Sequence, residues 1–245
     1  MVSQVSRLQS AASSTASDVG QLALLRHTCA HVLAMAVQTL FSETKVTIGP
    51  CTDTGFYYDF DRAEPFTPDD LKRITTEMRR IIRANLPIIR ETIERDDIRA
   101  EIERLNEPYK LEILDSIPAD KLITRYYIGC PDSLPVTAEP SLFNPPPANA
   151  PSPATLCWWD LCAGPHLSRT GELHPKAFAL ESVAGAYWRG DETQPQLQRI
   201  YGTAWETPEQ LKAYLKQKEE AKRRVHRILG QTLNLFSIQE AAGCG

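Results

Sequence analysis

Apolar residues recur at helical spacing in the first patterned stretch of the chain, which begins at Gln21. The recurrence predicts a helix over 21–41 with a single apolar stripe, formed by Leu22, Leu25, Cys29, Val32, Leu33, Ala36 and Leu40. Residues 1–20 lack both that stripe and the apolar segment of a secretory signal, and they are rich in Ser and Ala. We therefore expect a disordered leader there, with a short organelle transit peptide as the alternative.

Turn and cap signals divide the following part of the chain. The alternation in FYYDF at 56–60 predicts a strand. Thr67 followed by Pro68 is typical of a helix start, and this helix is expected to run towards Ala84 and to bury Ile74, Met78, Ile81 and Ile82. Further along, the pattern predicts a strand over 86–93, a short helix over 96–105 and a short segment over 111–114.

The stretch 131–153 differs in composition from the rest. It holds eight of the 18 prolines and no Gly, Lys or Arg. Because proline has no backbone N–H for a sheet ladder, this stretch is predicted to be an extended loop inserted between two structured parts. Strand-like and turn-like signals alternate over 178–205, and a Thr-Pro pair at 207–208 predicts a last helix that ends near Leu229.

That last predicted helix is locally basic. Between Glu206 and Arg227, seven Lys and Arg oppose four Glu, whereas the whole chain of 245 residues has 27 basic and 31 acidic residues, a net charge of −4. The total excludes a strongly basic nucleic-acid binder, and the helix is either a solvated face or a surface for RNA phosphates. No apolar run is long enough for a membrane span.

Cysteine usage favours a reducing compartment. There are six cysteines and no C-x-x-C pair, and a chain of this length does not need disulfides to be stable. We expect mostly free thiols, with Cys29 and Cys51 in the core.

Four residues are candidates for a reaction centre. His27 and His31 lie four positions apart, so their imidazoles share one face of the predicted helix, nearly opposite the apolar stripe. Cys162 and His166 are also four apart, and the Gly-Pro pair between them predicts a tight turn that brings both side chains to a common point. Three imidazoles and one thiol suit a tetrahedral zinc site. They equally suit acid–base and water-positioning groups that need no metal, and the spacing leaves both alternatives open.

Four motifs follow one another along the chain. They are RHTCAH at 26–31 with IGP and GFYYD behind it, DLCAGPH at 160–166, AGAYWRGD at 184–191, and QRIYGTAW at 198–205. Together they resemble the editing region of the threonyl-tRNA synthetase family, over about 21–245 apart from the proline-rich insertion. Alanyl-tRNA editing proteins have a similar H-x-x-x-H and C-x-x-x-H set, but the contexts of the tyrosine and tryptophan motifs favour the threonyl family.

The resemblance implies an α+β fold, a two-layer helix and sheet editing domain with a cleft between the H-x-x-x-H helix and the C-x-x-x-H turn. It divides the chain into a leader (1–20), an editing domain (21–205) that contains the insertion (131–153), and a linker helix with the beginning of a missing aminoacylation core (206–245). We expect the first helix and the sheet region 178–205 to enclose the cleft. A small ubiquitin-like domain often precedes the editing region in bacterial members, and this sequence lacks it.

The resemblance also implies an activity, the hydrolysis of serine from mischarged Ser-tRNA(Thr). One missing methyl is worth only roughly 1–3 kcal/mol, so a synthetic site for threonine admits some serine, and a smaller second site removes it. The chain is thus expected to be the editing part of a threonine–tRNA ligase, with ATP needed only by the missing ligase core. The alternatives are a free-standing trans-editing hydrolase and a catalytically dead tRNA-binding appendage.

The implied partner is the 3′ end of tRNA(Thr) carrying serine, with no membrane involved. We expect a monomeric fragment of a homodimeric parent enzyme, located in the cytoplasm or, alternatively, in a mitochondrion or plastid.

The site residues implied by the resemblance fall into two groups. Catalytic roles go to His27, His31, Lys110, Cys162 and His166. Substrate-binding roles go to Tyr58, Tyr126 and Asp160. The paired histidines orient the ester and the attacking water, one of them as base, while the lysine positions water or stabilises the oxyanion. The aspartate holds the serine amino group. No cofactor is expected to be required, and zinc on the three histidines and the cysteine is the alternative.

Overall fold

The computed structural model describes residues 3–129 and 157–232, with side chains described within 20–129 and 157–224. Helices and strands follow one another as α1 (Ser3–Leu40), β1 (Lys45–Val46), β2 (Phe56–Asp61), α2 (Pro68–Arg83), β3 (Ile88–Ile93), α3 (Arg95–Arg104), α4 (Pro108–Ser116), β4 (Ile123–Ile128), β5 (Trp158–Leu161), β6 (Phe178–Tyr187), β7 (Gln196–Ala204) and α5 (Pro208–Thr232). In these ranges, no helix is long and apolar enough to cross a bilayer. The α+β class predicted from the sequence is confirmed.

The larger sheet carries the main core. Its four strands run antiparallel in the order β1-β2-β7-β6, and α1 and α2 pack against it. Alternate residues of β2 point the same way from a pleated strand, and this places Phe56, Tyr58 and Phe60 in the core with the apolar faces of both helices. Burial of its apolar face therefore sets the orientation of α1 against this sheet. The same burial determines the direction in which the opposite, polar face of α1 points.

The smaller sheet has the antiparallel order β3-β4-β5 and a core of its own with α3 and α4. The side chains of this second core are Ile98, Ile102, Leu114, Ile123 and Trp159. The turn after β6 secures α4 from another side, because Trp188 Nε1 donates to Glu112 Oε2 over 2.7 Å. Two independent contacts thus hold α4, the short helix that carries Lys110.

The helix α2 is built as its sequence predicts. Thr67 is the N-cap, its hydroxyl accepts from the Asp70 backbone N–H, and the Asp70 carboxylate accepts in return from the Thr67 N–H, a capping box. The predicted buried residues Ile74, Met78, Ile81 and Ile82 are the buried residues observed. The alternating signals over 178–205 form the hairpin of β6 and β7, and α5 begins at Pro208 as expected.

Other sequence-based expectations differ from the structure. The first helix begins at Ser3 rather than Gln21, because the Ala- and Ser-rich leader has no Pro or Gly before Gly20 to stop a helix. The segment 111–114 lies inside the longer helix α4, and Cys51 is exposed because it precedes β2 in a loop. The strand β4 is not among the predicted elements, because five of its six residues are buried and its sequence lacks the alternation of apolar and polar positions on which the strand prediction at 56–60 rests.

The remaining cysteine and loop expectations have mixed outcomes. Cys29, Cys51 and Cys162 carry free thiols, and Cys157 is disulfide-bonded. The insertion 131–153 lies outside the described residues, and the domain boundaries at 20 and 205 stay predictions.

Candidate active site

The paired histidines of α1 and the turn after β5 meet in one cluster. The metal-binding atoms of His27, His31, Cys162 and His166 all lie within 4.8 Å of one another. Cys162 Sγ is 3.4 Å from His27 Nε2 and 3.4 Å from His166 Nε2. The ring centroids of His31 and His166 are 4.2 Å apart. The fold therefore joins two motifs that the sequence separates by more than a hundred residues.

The Gly-Pro turn gives the cluster its shape. Gly164 has a φ of +74°, its N–H donates to Cys162 Sγ over 3.2 Å, and the peptide bond to Pro165 is cis. A Cβ atom on Gly164 would overlap the hydroxyl of Tyr126, so glycine is needed both for the backbone conformation and for this close approach. The ring of Tyr126 in turn packs edge-on against His166, with centroids 4.6 Å apart.

Hydrogen bonding determines the tautomer of His27. Its Nδ1 is 3.1 Å from the carbonyl oxygen of Pro165. A carbonyl only accepts, so Nδ1 carries the proton and the Nε2 lone pair faces Cys162. Burial raises the pKa of Cys162 to about 11, so this residue is a neutral thiol at pH 7.

All three imidazoles of the cluster are neutral near pH 7. Burial lowers the pKa of His27, of His31 and of His166 below the ordinary value for histidine. His31 is 3% exposed and its buried Nδ1 has no hydrogen-bond partner within the part of the chain that the structure describes. His27 is half-buried. The cluster thus presents neutral imidazoles that can accept a proton. It also contains one buried nitrogen, His31 Nδ1, that is available for a hydrogen bond.

A buried ion pair lies next to the histidines. Lys110 and Asp160, 3% and 2% exposed, form a short Nζ–Oδ1 contact. Lys110 Nζ also donates to the carbonyl of Thr47 over 2.7 Å, and the Tyr58 hydroxyl donates to Asp160 Oδ2 over 2.6 Å. His31 Nε2 is 3.7 Å from the same Oδ2 atom. A cation and an anion are thereby held, paired and desolvated, beside the imidazoles.

Different elements bring these groups to one place. Tyr58 reaches the site from β2, and Lys110 from the first turn of α4. Tyr126 and Asp160 are directly paired across β4 and β5, so their side chains lie on the same face of the smaller sheet. All eight residues that the sequence predicts as the site therefore fall into this cluster.

Comparison with known families gives a match for the segment that carries the second half of the cluster. Residues 152–201, which include Asp160, Cys162 and His166, match the family described as the threonyl and alanyl tRNA synthetase second additional domain. The likeness to this synthetase domain therefore covers residues 152–201 and the part of the cluster that they supply.

Curated relatives extend the likeness to most of the chain. It is 52% identical over 229 residues to a threonine–tRNA ligase of Gloeobacter violaceus, which covers 94% of this chain and 32% of that protein. It is 56% identical over 225 residues to a chloroplastic/mitochondrial threonine–tRNA ligase of Arabidopsis thaliana, with 92% and 30% covered. A threonine–tRNA ligase of a Synechococcus strain is 55% identical over 229 residues. The chain spans about a third of the length of these relatives.

The surroundings of the candidate site differ from one expectation. The sequence places the sheet region 178–205 opposite the first helix, across the site. In the structure none of the eight site residues lies on β6 or β7. That wall is supplied by β4 and β5 of the smaller sheet, two strands that are not among the predicted elements.

Three polar residues beside the cluster are absent from the predicted site. Thr28 Oγ1 lies 3.3 Å from His166 Nδ1 and accepts from the Leu167 N–H. Gln38 and Glu107 are buried and hydrogen-bonded to each other. Gln38 follows the paired histidines by 11 and 7 positions, which puts it on their face of α1, so the spacing contained a usable signal. For Glu107 the sequence offers none.

The donor set of the cluster suits a metal ion. A tetrahedral zinc with bonds of about 2.0–2.3 Å separates its ligand atoms by roughly 3.3–3.8 Å, and both Cys162–His distances of 3.4 Å fall in that range. His27 Nε2 is free to coordinate because Nδ1 carries the proton. His27, His31, Cys162 and His166 could therefore hold a metal ion.

Proposed function

We propose that this chain hydrolyses the seryl ester of mischarged Ser-tRNA(Thr), as the editing part of a threonine–tRNA ligase. The observation that carries the proposal is the single cluster in which the neutral imidazoles of His27 and His31 meet Cys162, next to the buried pair of Lys110 and Asp160. Ester hydrolysis needs a proton acceptor for water and a positive group for the oxyanion, and this cluster offers both.

His27 is assigned as the general base. It is the half-buried member of the histidine pair, whereas His31 is enclosed, and its Nε2 lone pair points into the cluster. In the first step, water attacks the carbonyl carbon of the seryl ester, and its proton passes to His27 Nε2. In the second step, the tetrahedral intermediate breaks the bond to the ribose oxygen, which takes that proton. The products are serine and a tRNA with its terminal hydroxyl restored.

The groups around His27 bind rather than react. Cys162 is protonated at neutral pH, and a thiol is a poor nucleophile compared with a thiolate, so we assign it to the pocket floor, where it orients two imidazoles. His31 Nδ1 is buried and has no hydrogen-bond partner among the described residues, and we assign it to a hydrogen bond with the seryl group. We assign Asp160 to the serine ammonium group. Lys110, whose three N–H groups bond Thr47, Tyr58 and Asp160, is assigned to stabilising the developing oxyanion through its positive charge.

Selectivity for serine follows from close packing. Tyr58 is fully buried and His31 nearly so, and a close-packed wall accommodates an extra methyl only by shifting. The threonyl ester carries that extra methyl. A zinc ion bound by the three histidines and the cysteine would polarise the ester carbonyl, but the proton transfer proposed here uses the imidazole alone.

The partner we infer is the acceptor end of tRNA(Thr). The helix α5 presents exposed Lys212, Lys216 and Lys222 beside this domain, and such side chains suit RNA phosphates. The relatives include cyanobacterial proteins and one named as chloroplastic/mitochondrial, which is compatible with a bacterial cytoplasm and with an organelle.

The test is deacylation of Ser-tRNA(Thr) and Thr-tRNA(Thr) by the purified chain. The proposal predicts serine release at least about tenfold faster than threonine release, since one methyl is worth roughly 1–3 kcal/mol. Equal rates, or binding of tRNA without release of serine by the folded chain, would overturn it.

A further inference from the structure

A buried glutamine links three parts of the fold behind the site. Gln38 Oε1 accepts from Trp158 Nε1 over 2.7 Å, while its Nε2 donates to Glu107 Oε1 over 2.9 Å and to the carbonyl of Thr44 over 3.1 Å. Gln38 itself is 3% exposed. One side chain of α1 therefore ties β5, the start of β1 and the residue that precedes α4.

The first of these links reaches the histidines through Trp158. The indole ring of Trp158 stands edge-on to the ring of His31, with centroids 5.6 Å apart and an interplanar angle of 87°. Trp158 also lies two residues before Asp160 on β5. An indole whose N–H is held by Gln38 cannot rotate without breaking that bond, so Gln38 fixes the surface against which His31 packs.

The second link reaches the lysine through Glu107. Glu107 is the N-cap residue of α4, three positions before Lys110, and its other carboxylate oxygen accepts from the Val46 N–H over 3.4 Å. The next residue, Thr47, supplies the carbonyl that receives Lys110 Nζ. Glu107 thus fixes both the helix that carries the lysine and the strand that receives it.

This network includes a buried carboxyl, whose burial costs more free energy than a purely structural role requires. Burial raises the pKa of Glu107 to about 7, against the opposing effects of Lys110, Lys45, Gln38 and the Val46 N–H. A buried carboxyl is more expensive than an apolar side chain of equal size. An apolar residue would fill the space but could not orient Trp158 or the start of α4.

We propose that Gln38 and Glu107 are positioning residues of the hydrolytic site. Gln38 holds Trp158 against His31, and Glu107 holds the first turn of α4 so that Lys110 meets Asp160. The inference rests on the proposed function, because its effect is measured on serine release, but it concerns residues that touch neither the substrate nor the reacting atoms.

The experiment compares two glutamines whose amide groups each make three hydrogen bonds. Gln38 bonds two side chains and one carbonyl, whereas Gln198 bonds three backbone groups, those of Arg62, Glu64 and Phe66, none of which belongs to the site. Gln38→Met and Gln198→Met therefore each remove three hydrogen bonds, the first beside the site and the second away from it. Single-turnover serine release from Ser-tRNA(Thr) is measured over a range of chain concentrations, with thermal unfolding of each variant.

The expected result is a fall of at least tenfold in the maximal rate for Gln38→Met, with half-saturation within twofold of the unsubstituted chain. Gln198→Met should lose thermal stability but keep its rate. Gln38→Glu, which retains the acceptor for Trp158 Nε1, should recover part of the rate. If Gln38→Met does not fold, Glu107→Gln, which preserves shape, decides by the same fall in rate.

An unchanged rate in folded Gln38→Met and Glu107→Gln would overturn the inference while the proposed function stands. Equal losses in Gln38→Met and Gln198→Met would also overturn it, because the effect would then be general destabilisation. No serine release by the unsubstituted chain would instead overturn the proposed function, and the positioning roles with it.

Discussion

Cys162 Sγ lies 3.4 Å from His27 Nε2, although 135 residues separate the two in the chain. The same sulfur lies 3.4 Å from His166 and accepts the Gly164 N–H. Cys162 is thus the point at which the turn and the helix are joined. In the mechanism proposed here the sulfur orients imidazoles and does not attack the ester.

Substitutions of Cys162 distinguish two roles of its sulfur, the orientation of the imidazoles and nucleophilic attack on the ester. Cys162→Ala removes the sulfur that faces both imidazoles, and we expect serine release to fall roughly 10- to 100-fold, since two hydrogen bonds are lost and each is worth about 0.5–1.5 kcal/mol. Cys162→Ser restores a small hydrogen-bonding group and should retain most of the rate. Initial rates on Ser-tRNA(Thr) decide, and a serine variant as inactive as the alanine variant would indicate a sulfur nucleophile.

The pair of Lys110 and Asp160 should be strongly coupled in stability. Both are almost fully buried, so Lys110→Met or Asp160→Asn alone leaves an uncompensated charge and should cost about 3–5 kcal/mol in the free energy of unfolding. The double variant should cost less than the sum by more than about 1 kcal/mol. Urea unfolding of all four chains measures the coupling, and additive costs would contradict a buried ion pair.

The turn depends on the missing side chain of Gly164. With φ at +74° and the Tyr126 hydroxyl in the way, Gly164→Ala should destabilise the chain by roughly 1–2 kcal/mol and slow serine release. Gly190→Ala is the matched control, since Gly190 has a φ of +73° but open space where a side-chain carbon would lie. It should lose stability and keep its activity. Equal rates in both variants would contradict the importance of the turn.

Much of this site was predictable from the sequence, because its two halves depend on short-range spacing along the chain. Helical spacing puts His27 and His31 on one face, and a Gly-Pro turn brings His166 towards Cys162, so each half follows from short-range geometry. The identity of the elements that lie opposite the helix does not follow from short-range geometry. The strand β4 is buried at almost every position and gives no alternating pattern, and Tyr126 can be placed next to Asp160 only once the pairing of β4 and β5 is known.

The buried carboxyl of Glu107 should make stability depend on pH. Its pKa is raised to about 7 from the ordinary value of 4.5, so between these values the native state holds a proton that the unfolded state has lost. Stability from this group is therefore greatest below pH 4.5, falls by up to about 1.4 kcal/mol per pH unit as the pH rises towards 7, and is constant above. Glu107→Gln should remove this slope. Unfolding free energies measured from pH 4.5 to 8 provide the comparison, and parallel curves for both chains would contradict the shift.

Metal removal distinguishes the two chemistries open to the histidine cluster. The proposed base is an imidazole, so a chain dialysed against a chelator should hydrolyse Ser-tRNA(Thr) at its original rate, and elemental analysis should find well under one equivalent of zinc. A full equivalent of zinc, lost together with activity in Cys162→Ala, would show that the four side chains act as metal ligands.

The most direct test of His27 as the general base is serine release by His27→Ala beside His174→Ala. His174 is an exposed histidine outside the cluster whose Nδ1 accepts from the Lys176 N–H, so it serves as the control. We expect a loss of about 100-fold or more for His27→Ala, the range expected for removal of a general base, and an unchanged rate for His174→Ala. Undiminished serine release by a folded His27→Ala chain would contradict that role.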